Sequence, residues 1–567
     1  MQVPGYVFLI LFAIIIIVLV SAVKASRAAR KLRQDIASRW GKKPALKYKE
    51  EEMRAIKYYF DSLRGSEPGR YFLDDITWHD LDMDDVFKRI NSTLSSVGEE
   101  YLYALLREPV TDEKILAERS RLIELFSTDA ELRTSLQYIF ARLGKSRFAG
   151  VSNYFFSKAE YSPFKRIKYI IMAAVFLLSP LIIAFDPSIG IFVMIASFLT
   201  NMGVYYKAKN ELSTQLDSLS YMVNMTAYAL KAASLKAPGL REYAGRIKTL
   251  ASKISSTGTK SFYQIFYNTQ NELFEYFKII FLVELIAFEG VNKKIIKHRG
   301  ELRELYEIVG LLDSMTALAS YRASLPFYTV PALSKADSGH KPAIVFENIY
   351  HPLIDDPVAN SLNLNKSVLV TGSNASGKST FLKTAAVNAI FAQTIGTCLA
   401  ASYKSVYFRI YTSMALEDSL LNNESYYIAE IKSLKRMLDG LNSVTPLFCI
   451  IDEVLRGTNT IERIAASSQL LRYLAGRNCV CLTATHDIEL TAILNHQFDN
   501  YHFRESFKNN DILFDYKIYP GKSKTRNAIK LLEIMDYPAD IINHARNLAE
   551  RFEQKGSWTD GGISYYR

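Results

Sequence analysis

At 567 residues the chain is too long for one hydrophobic core, so two or three domains are expected. Its formal net charge of +11 suggests a nucleic-acid partner, but ten basic residues and a single acid, Asp35, lie between Lys24 and Lys49, so one short run carries most of the excess. Four cysteines, Cys398, Cys449, Cys479 and Cys481, lack metal-ligand spacing and read as buried thiols of a reducing compartment, which excludes a disulfide scaffold or a zinc site.

Residues 3–23 contain no charge and include the run FLILFAIIIIVLV. As a helix this stretch is about 32 Å long, enough to cross a bilayer. The basic residues follow the apolar run rather than precede it. That order favours an uncleaved anchor over residues 1–23, with a basic juxtamembrane segment over 24–49, against a cleaved signal peptide. Lys24 onward is then expected in the cytoplasm. Residues 50–165 carry apolar positions at helical spacing, among them Leu102, Leu105 and Leu106, and Pro109-Val110-Thr111-Asp112 ends one helix and caps the next.

Two more apolar runs, 169–185 and 189–206, are separated by Asp186-Pro187-Ser188. Lys165, Arg166 and Lys168 precede them, and Lys207 and Lys209 follow. Matching basic flanks predict a transmembrane helical hairpin over 169–206 with both ends in the cytoplasm. A pair of buried core helices is the alternative, because the first run is near the lower length limit for a span. The expectation is thus three spans and a multi-pass membrane protein. From 207 to 332 the pattern is long and helical, a lever or core segment with joints at Pro238-Gly239 and around 255–260.

Over 333–500 strand and helix patterns alternate, the signature of an α/β domain. The loop TGSNASGKST follows an apolar strand, opens a helix, and fits G-x-x-x-x-G-K-[ST] with Gly372, Gly377, Lys378 and Ser379. Backbone amides of such a loop cradle phosphates, Lys378 neutralises the outer ones, and Ser379 ligates Mg²⁺. ATP or a close relative is the expected ligand. The strand LFCII ends in Asp452-Glu453, where an acid holds Mg²⁺, here Asp452, and a second acid, Glu453, orients or deprotonates the attacking water. The next strand, CVCLTA, ends at Thr485-His486. His486 is positioned to sense the γ-phosphate or the water, although a lone histidine is more often structural. Residues 501–555 supply a strand pair and a helical segment, and 556–567 form a disordered tail.

The segments TGSNASGKSTFLKTAAVNAIFAQTIGTCLAASY, IIDEVLRGTNTIER and TATHDIELTAIL resemble the MutS family of DNA mismatch-repair ATPases, a branch of the ABC-type nucleotide domains. YKIYPGKSKTRNAIKLLEIMDYPADIINHARNLAE is similar to that family's closing dimerisation segment, and stretches near 75–160 and 295–325 look like its core helices. The resemblance implies that Gly372, Ser373, Asn374, Ala375, Ser376, Gly377, Lys378, Ser379 and Thr380 grip the triphosphate. It implies catalytic roles for Glu453, His486 and Lys378, with Mg²⁺ on Ser379 and Asp452. It further implies a homodimer in which Ser425 reaches the partner's nucleotide, with Arg456–Thr460 signalling between the two sites. The expected fold is therefore multidomain α and α/β: transmembrane helices, a helical MutS core and a C-terminal ABC-type P-loop domain.

Departures from the family bear on function. Asn423-Glu424 precede Ser425 where the family has glycine, and Glu424 brings a negative charge toward phosphates. The family's adenine-stacking aromatic falls near Pro357. No N-terminal mismatch-reading domain with its Phe-x-Glu wedge is expected, nor a nuclease module. DNA binding, where retained, would then be backbone clamping without sequence reading. An ABC-like transport or extrusion motor and an ATP-switched membrane scaffold are the competing readings; the absence of charge from the spans argues against a transport path.

Overall fold

The computed structural model describes residues 5–44, 47–145, 152–156, 163–255, 272–336, 341–373, 376–414, 426–441, 443–456, 458–508, 511–523 and 528–555. Contacts divide the chain into two units. The first takes Met1–Phe72, Asp84–Pro326 and Thr394–Gly396, and the second Leu73–Met83, Phe327–Gln393 and Thr397–Arg567.

The first unit is helical. Its main elements are α1 (Gly5–Arg39), α2 (Glu50–Ser66), α3 (Ser96–Arg107), α4 (Glu113–Thr128), α5 (Ala130–Leu143), α6 (Pro163–Phe185), α7 (Pro187–Ala233), α8 (Arg241–Ser255), α9 (Glu272–Ile280), α10 (Val283–Lys297) and α11 (Arg299–Ala323). Caps follow the sequence closely: the Ser95 hydroxyl accepts from Gly98 N at the start of α3, and Asp112 and Asp129 accept from Lys114 N and Leu132 N in α4 and α5. Leu302, Leu305, Val309, Leu312 and Met315 repeat at three- and four-residue spacing and are buried in α11, against which α3, α4 and α8 pack, with α2 lying on α3.

Polar groups are threaded through this core. The Asp313 carboxylate accepts from Leu94 N (3.2 Å), Ser95 N (2.9 Å) and Ser95 Oγ (2.6 Å). Glu100 accepts from Tyr306 Oη at 2.6 Å, and Glu99 from Tyr48 Oη (3.0 Å), Asn91 Nδ2 (3.1 Å) and Lys145 Nζ (2.6 Å). Burial pushes Glu100 up to about 8 and Asp313 up to about 6, because only neutral donors touch either carboxyl.

The hairpin forms as expected around Asp186, which caps α7 by accepting from Ser188 N (3.0 Å) and Ile189 N (3.1 Å) while Pro187 occupies the first helical position. Gly190 permits the crossing: a Cβ there would lie 2.4 Å from Ile183 N. Side chains point outward, with Phe185 91% and Phe192 72% exposed. Only 6% and 17% of the most apolar stretches of the two helices are buried, which argues against the core-helix alternative. Beyond the hairpin, α7 continues without a break to Ala233, 47 residues or about 70 Å in all.

The expected number of spans needs correction. Among the described residues two helices, Pro163–Phe185 and Pro187–Leu212, have the length and composition of a membrane span, not three. The N-terminal candidate is part of α1, one continuous helix from the apolar run into the basic run. Residues 1–4 and most side chains up to position 18 lie outside the described residues.

The second unit is α/β. A six-stranded sheet has the order β10-β9-β4-β8-β7-β6, built from β4 (Ser367–Thr371), β6 (Arg409–Ser413), β7 (Leu447–Asp452), β8 (Cys479–Ala484), β9 (Phe498–Lys508) and β10 (Asp511–Pro520). All neighbours are parallel except β9 and β10. A four-stranded sheet, β1-β5-β2-β3, contains β1 (Ala332–Ser334), β2 (Ile344–Ile349), β3 (Asn360–Leu364) and β5 (Ser402–Val406). Every residue of β4, β7 and β8 is buried, as central parallel strands require. Helices α12 (Lys378–Thr394), α13 (Tyr426–Gly440), α14 (Thr460–Ala475) and α15 (Ala539–Lys555) complete the larger elements.

A short helix, Asp75–Asp80, groups with this unit although it lies between α2 and α3 of the helical unit in sequence. The Asp80 carboxylate accepts from Thr412 Oγ1 (2.7 Å) and Met414 N (3.0 Å), and Arg436 of α13 pairs with Asp74, so the segment covers edge strand β6. None of the four cysteines forms a disulfide and all are buried, with Cys449, Cys479 and Cys481 clustered on β7 and β8.

Candidate nucleotide site

Three central strands deliver the site. In register, Val370 of β4 and Asp452 of β7 both pair with Ala484 of β8, so the carboxyl ends of these strands are level. Two backbone bonds lock them, Glu453 N to Ala484 O (2.9 Å) and Thr485 N to Val370 O (3.0 Å). Ligands of open parallel sheets bind outside such strand ends.

The loop after β4 depends on its glycines. Gly372 has φ 143° and Gly377 φ 100°, conformations that favour glycine, and a Cβ on Gly372 would stand 3.0 Å from Ser376 Oγ and 3.2 Å from Phe503 O. Ser376 Oγ donates to Ser373 O (2.7 Å), closing the turn. Lys378, the first residue of α12, folds back so that Nζ donates to Gly372 O (2.6 Å) and Ser373 O (2.7 Å). Burial drives its ammonium down to about 8, only partly offset by Asp452 and Glu453. A buried cation short of counter-charge at a ring of loop amides and carbonyls is what a polyanion would complete.

Lys378, Glu453 and His486 converge. His486 Nε2 lies 3.0 Å from Glu453 Oε1 and 3.4 Å from Lys378 Nζ, and Arg456 Nε holds Glu453 Oε2 at 2.6 Å. Burial opposes ionisation of Glu453, but His486, Arg456 and Lys378 outweigh it and keep the carboxyl below its usual range. The turn carrying it is strained: Glu453 and Leu455 have φ 62° and 59°. Glu430 of α13, itself buried, accepts from Leu455 N and holds that turn from beneath. Asp452 ends β7, nearly buried, with its carboxylate 4.0 Å from the Arg456 guanidinium. Ser379 and Thr380 line the neighbouring cavity. Asn374, Ala375, Ser425 and Gly457 lie outside the described residues.

Beside the loop is a cavity of about 320 Å³ whose wall includes His351, Val358, Phe503 and Tyr516. No aromatic stands at Pro357, but Tyr516 supplies a ring from β10. It sits at a β-bulge with φ 53°, its carbonyl accepts from Asn360 Nδ2 (2.9 Å), and its Cδ1 would be 3.1 Å from a Cβ on Gly377. Sequence reasoning missed Tyr516, because nothing in FDYKIYP marks the bulge that turns it toward the loop. His351 was missed too. Burial and nearby Lys383 depress it to about 4, so the ring is neutral; its Nδ1 accepts from Leu353 N (3.3 Å), and its Nε2 is buried without a partner among the described residues.

Comparison with known proteins agrees with this architecture. Residues 368–553 match the family model for MutS domain V. The chain is 29% identical over 277 residues to the DNA mismatch repair protein MutS of Thermotoga maritima, a match covering 47% of this chain and 34% of that protein. It is 28% identical over 285 residues to MutS of Thermus thermophilus, covering 49% and 34%, and 28% identical over 281 residues to human MutS protein homolog 4, covering 46% and 29%. The matched region thus spans about a third of the length of these relatives. With a phosphate-loop site of this geometry inside the matched region, residues 368–553 are similar to domain V of the MutS family.

Proposed function

We propose that this protein is a membrane-anchored ATPase of MutS type. The observation that carries the reading is the convergence of Lys378, Glu453 and His486 at the level ends of three parallel strands, beside a glycine loop at positive φ. Lys378 is the counter-charge for the triphosphate, and backbone amides of residues 372–380 bind its oxygens. Tyr516 stacks on the base, and His351 Nε2–H donates to a nucleoside acceptor in the cavity. The hydroxyl of Ser379 and the carboxylate of Asp452, both hard oxygen donors, would hold Mg²⁺, which when bound neutralises charge on the phosphates.

Glu453 is the group that takes a proton from water, and His486 orients both. In the described state both Glu453 oxygens are occupied, one by His486 and one by Arg456. Each oxygen keeps a second lone pair on which a water can be accepted while Arg456 and His486 fix the carboxylate. Arg456 opens the 456–460 loop that the family resemblance assigns to signalling between paired sites, and Ser425 from a second copy is the contact that would complete each site. Closure of a homodimer on ATP, and its opening after hydrolysis, is the cycle that follows.

The outward-facing apolar hairpin anchors the protein in a bilayer with the ATPase unit in the cytoplasm. The relatives are named as DNA mismatch repair proteins, and for this chain a DNA ligand would be held by its backbone. The test is ATP hydrolysis by the full-length, detergent-solubilised protein with homoduplex, with mismatched DNA and without DNA, beside Lys378→Ala. Lysine-dependent turnover establishes the ATPase. Stimulation by mismatched over homoduplex DNA would establish a repair role; turnover indifferent to DNA would redirect the search to a membrane or protein partner.

A further inference from the structure

Helices α9 and α10 meet in an elbow at Phe281-Leu282, where Leu282 takes φ 50° and interrupts the helix. Asn201 of α7 is buried at this level. Its Nδ2 donates to the Ile280 carbonyl freed by the break (2.8 Å) and reaches Met172 O of α6 (3.4 Å). The Phe281 ring packs edge-on against Phe176, while Leu282 and Leu285 share a buried cluster with Tyr169, Tyr205 and Ala208.

These contacts set a depth. Lys168 and Lys207 are the basic residues that bracket the two apolar runs of the hairpin, one before the first and one after the second. Met172 lies one helical turn beyond Lys168, and Asn201 less than two turns before Lys207, so the elbow tip sits about 6–9 Å inside the level of the basic residues. An interfacial helix buries its apolar face to about 5–10 Å, the same range. The acid in the tip, Glu284, is buried and accepts from Tyr205 Oη, which in turn accepts from Lys209 Nζ (3.1 Å), so its charge is not presented to hydrocarbon. Tyr276 and Phe277 on α9 are 62% and 46% exposed, large aromatic rings at the level where a bilayer places its aromatic belt.

We propose that the α9–α10 elbow is a membrane element separate from the hairpin, lying in the interface with Tyr276 and Phe277 at the headgroup–acyl boundary. Its partner is the phospholipid surface itself, with the exposed Lys165, Lys168 and Lys207 available to headgroup phosphates around it. The elbow thus clamps the base of the hairpin in a fixed tilt, where an isolated hairpin would be free to rock.

The proposal rests on the hairpin crossing the bilayer, and one experiment separates the two claims. Nitroxide labels are placed singly at Tyr276→Cys, Phe277→Cys, Phe192→Cys on the hairpin and Lys435→Cys on the nucleotide unit, in full-length protein reconstituted into phosphatidylcholine–phosphatidylglycerol vesicles. All four positions are exposed, and the native cysteines are buried and serve as the unlabelled blank. Collision rates with oxygen and with a water-soluble nickel chelate report depth. A several-fold higher oxygen-to-nickel ratio at 276 and 277 than at 435, yet lower than at 192, supports the elbow. Ratios at 276 and 277 equal to that at 435, with 192 still shielded, overturn the elbow and leave the hairpin standing. Nickel access at 192 overturns both.

Discussion

The helical core and the nucleotide site each bury carboxyl groups, and they treat them in opposite ways. Glu100 and Asp313 are met by hydroxyls and backbone amides, so burial wins and both titrate high. Glu453 is half-buried as well, but His486, Arg456 and Lys378 surround it and hold it ionised. Glu100 is thereby kept protonated at neutral pH and pins helices, Asp313 is shifted the same way but less far, and Glu453 is kept charged, as the proposed proton acceptor must be. The partner's charge, more than the depth of burial, decides what a buried acid does here.

The sharpest way to break this contrast is to neutralise the charged member. Glu453→Gln should lower turnover by roughly 100- to 10,000-fold, the usual contribution of a positioned general base. ATP binding should survive, because Lys378 and the loop amides are untouched, and the trapped ATP state should accumulate as a dimer on a sizing column. Turnover within a few-fold of wild type would remove Glu453 from the chemistry.

The converse experiment removes the neutral donor from a neutral acid. Tyr306→Phe leaves Glu100 buried without its hydroxyl and should cost about 1–3 kcal/mol in denaturant melts. The pH dependence carries its own signature. Glu100 rises from 4.5 to about 8 on folding, so the native state binds the extra proton between those values, and stability falls as pH climbs through that window. Asp313 adds a decline between 3.8 and about 6. Glu100→Gln should flatten the upper part of the curve; an unchanged slope would mean the carboxyl is not the group titrating.

Sequence made the charged site more legible than the neutral core, for a physical reason. A phosphate loop must use glycine at 372 and 377 and lysine at 378, and a strand-end acid must follow a buried run, so spacing exposes them. The two helices of the hairpin were legible as well, because long uncharged runs mark them, with the length and composition of a membrane span. By contrast, pairing of Glu100 with Tyr306 spans more than two hundred residues and leaves no local trace. Tyr516 depends on a bulge, and the helix Asp75–Asp80 groups with the α/β unit through contacts such as those of Thr77, Asp80 and Arg436, which are set by tertiary structure. The N-terminal span expected from hydropathy is not one of the two span-length apolar helices found among the described residues.

A smaller effect sharpens the comparison within the site. Burial places free Lys378 near 8, and bound phosphates would raise it, so binding takes up a proton above that pH. ATP affinity should therefore weaken by up to about tenfold per pH unit above pH 8, measured by titration calorimetry in two buffers of different ionisation enthalpy. A flat profile with no proton uptake would show that Lys378 is already fully charged in the free protein.

The smallest effect comes from a carboxylate that has a cation but no burial. Asp439 meets Lys435 one turn away on α13, and both side chains are about two-thirds exposed. Water screens that pair and solvates either member alone, so Asp439→Asn should move the melting temperature by no more than about 1 °C. Taken with Glu453 and Tyr306, this variant separates the two variables. If the exposed pair proved as costly to break as Tyr306–Glu100, a nearby partner alone would suffice and burial would be incidental. Near-silence at Asp439 means that desolvation supplies the leverage, and that the choice between neutral and cationic partners then sets whether a buried acid holds the fold or accepts a proton.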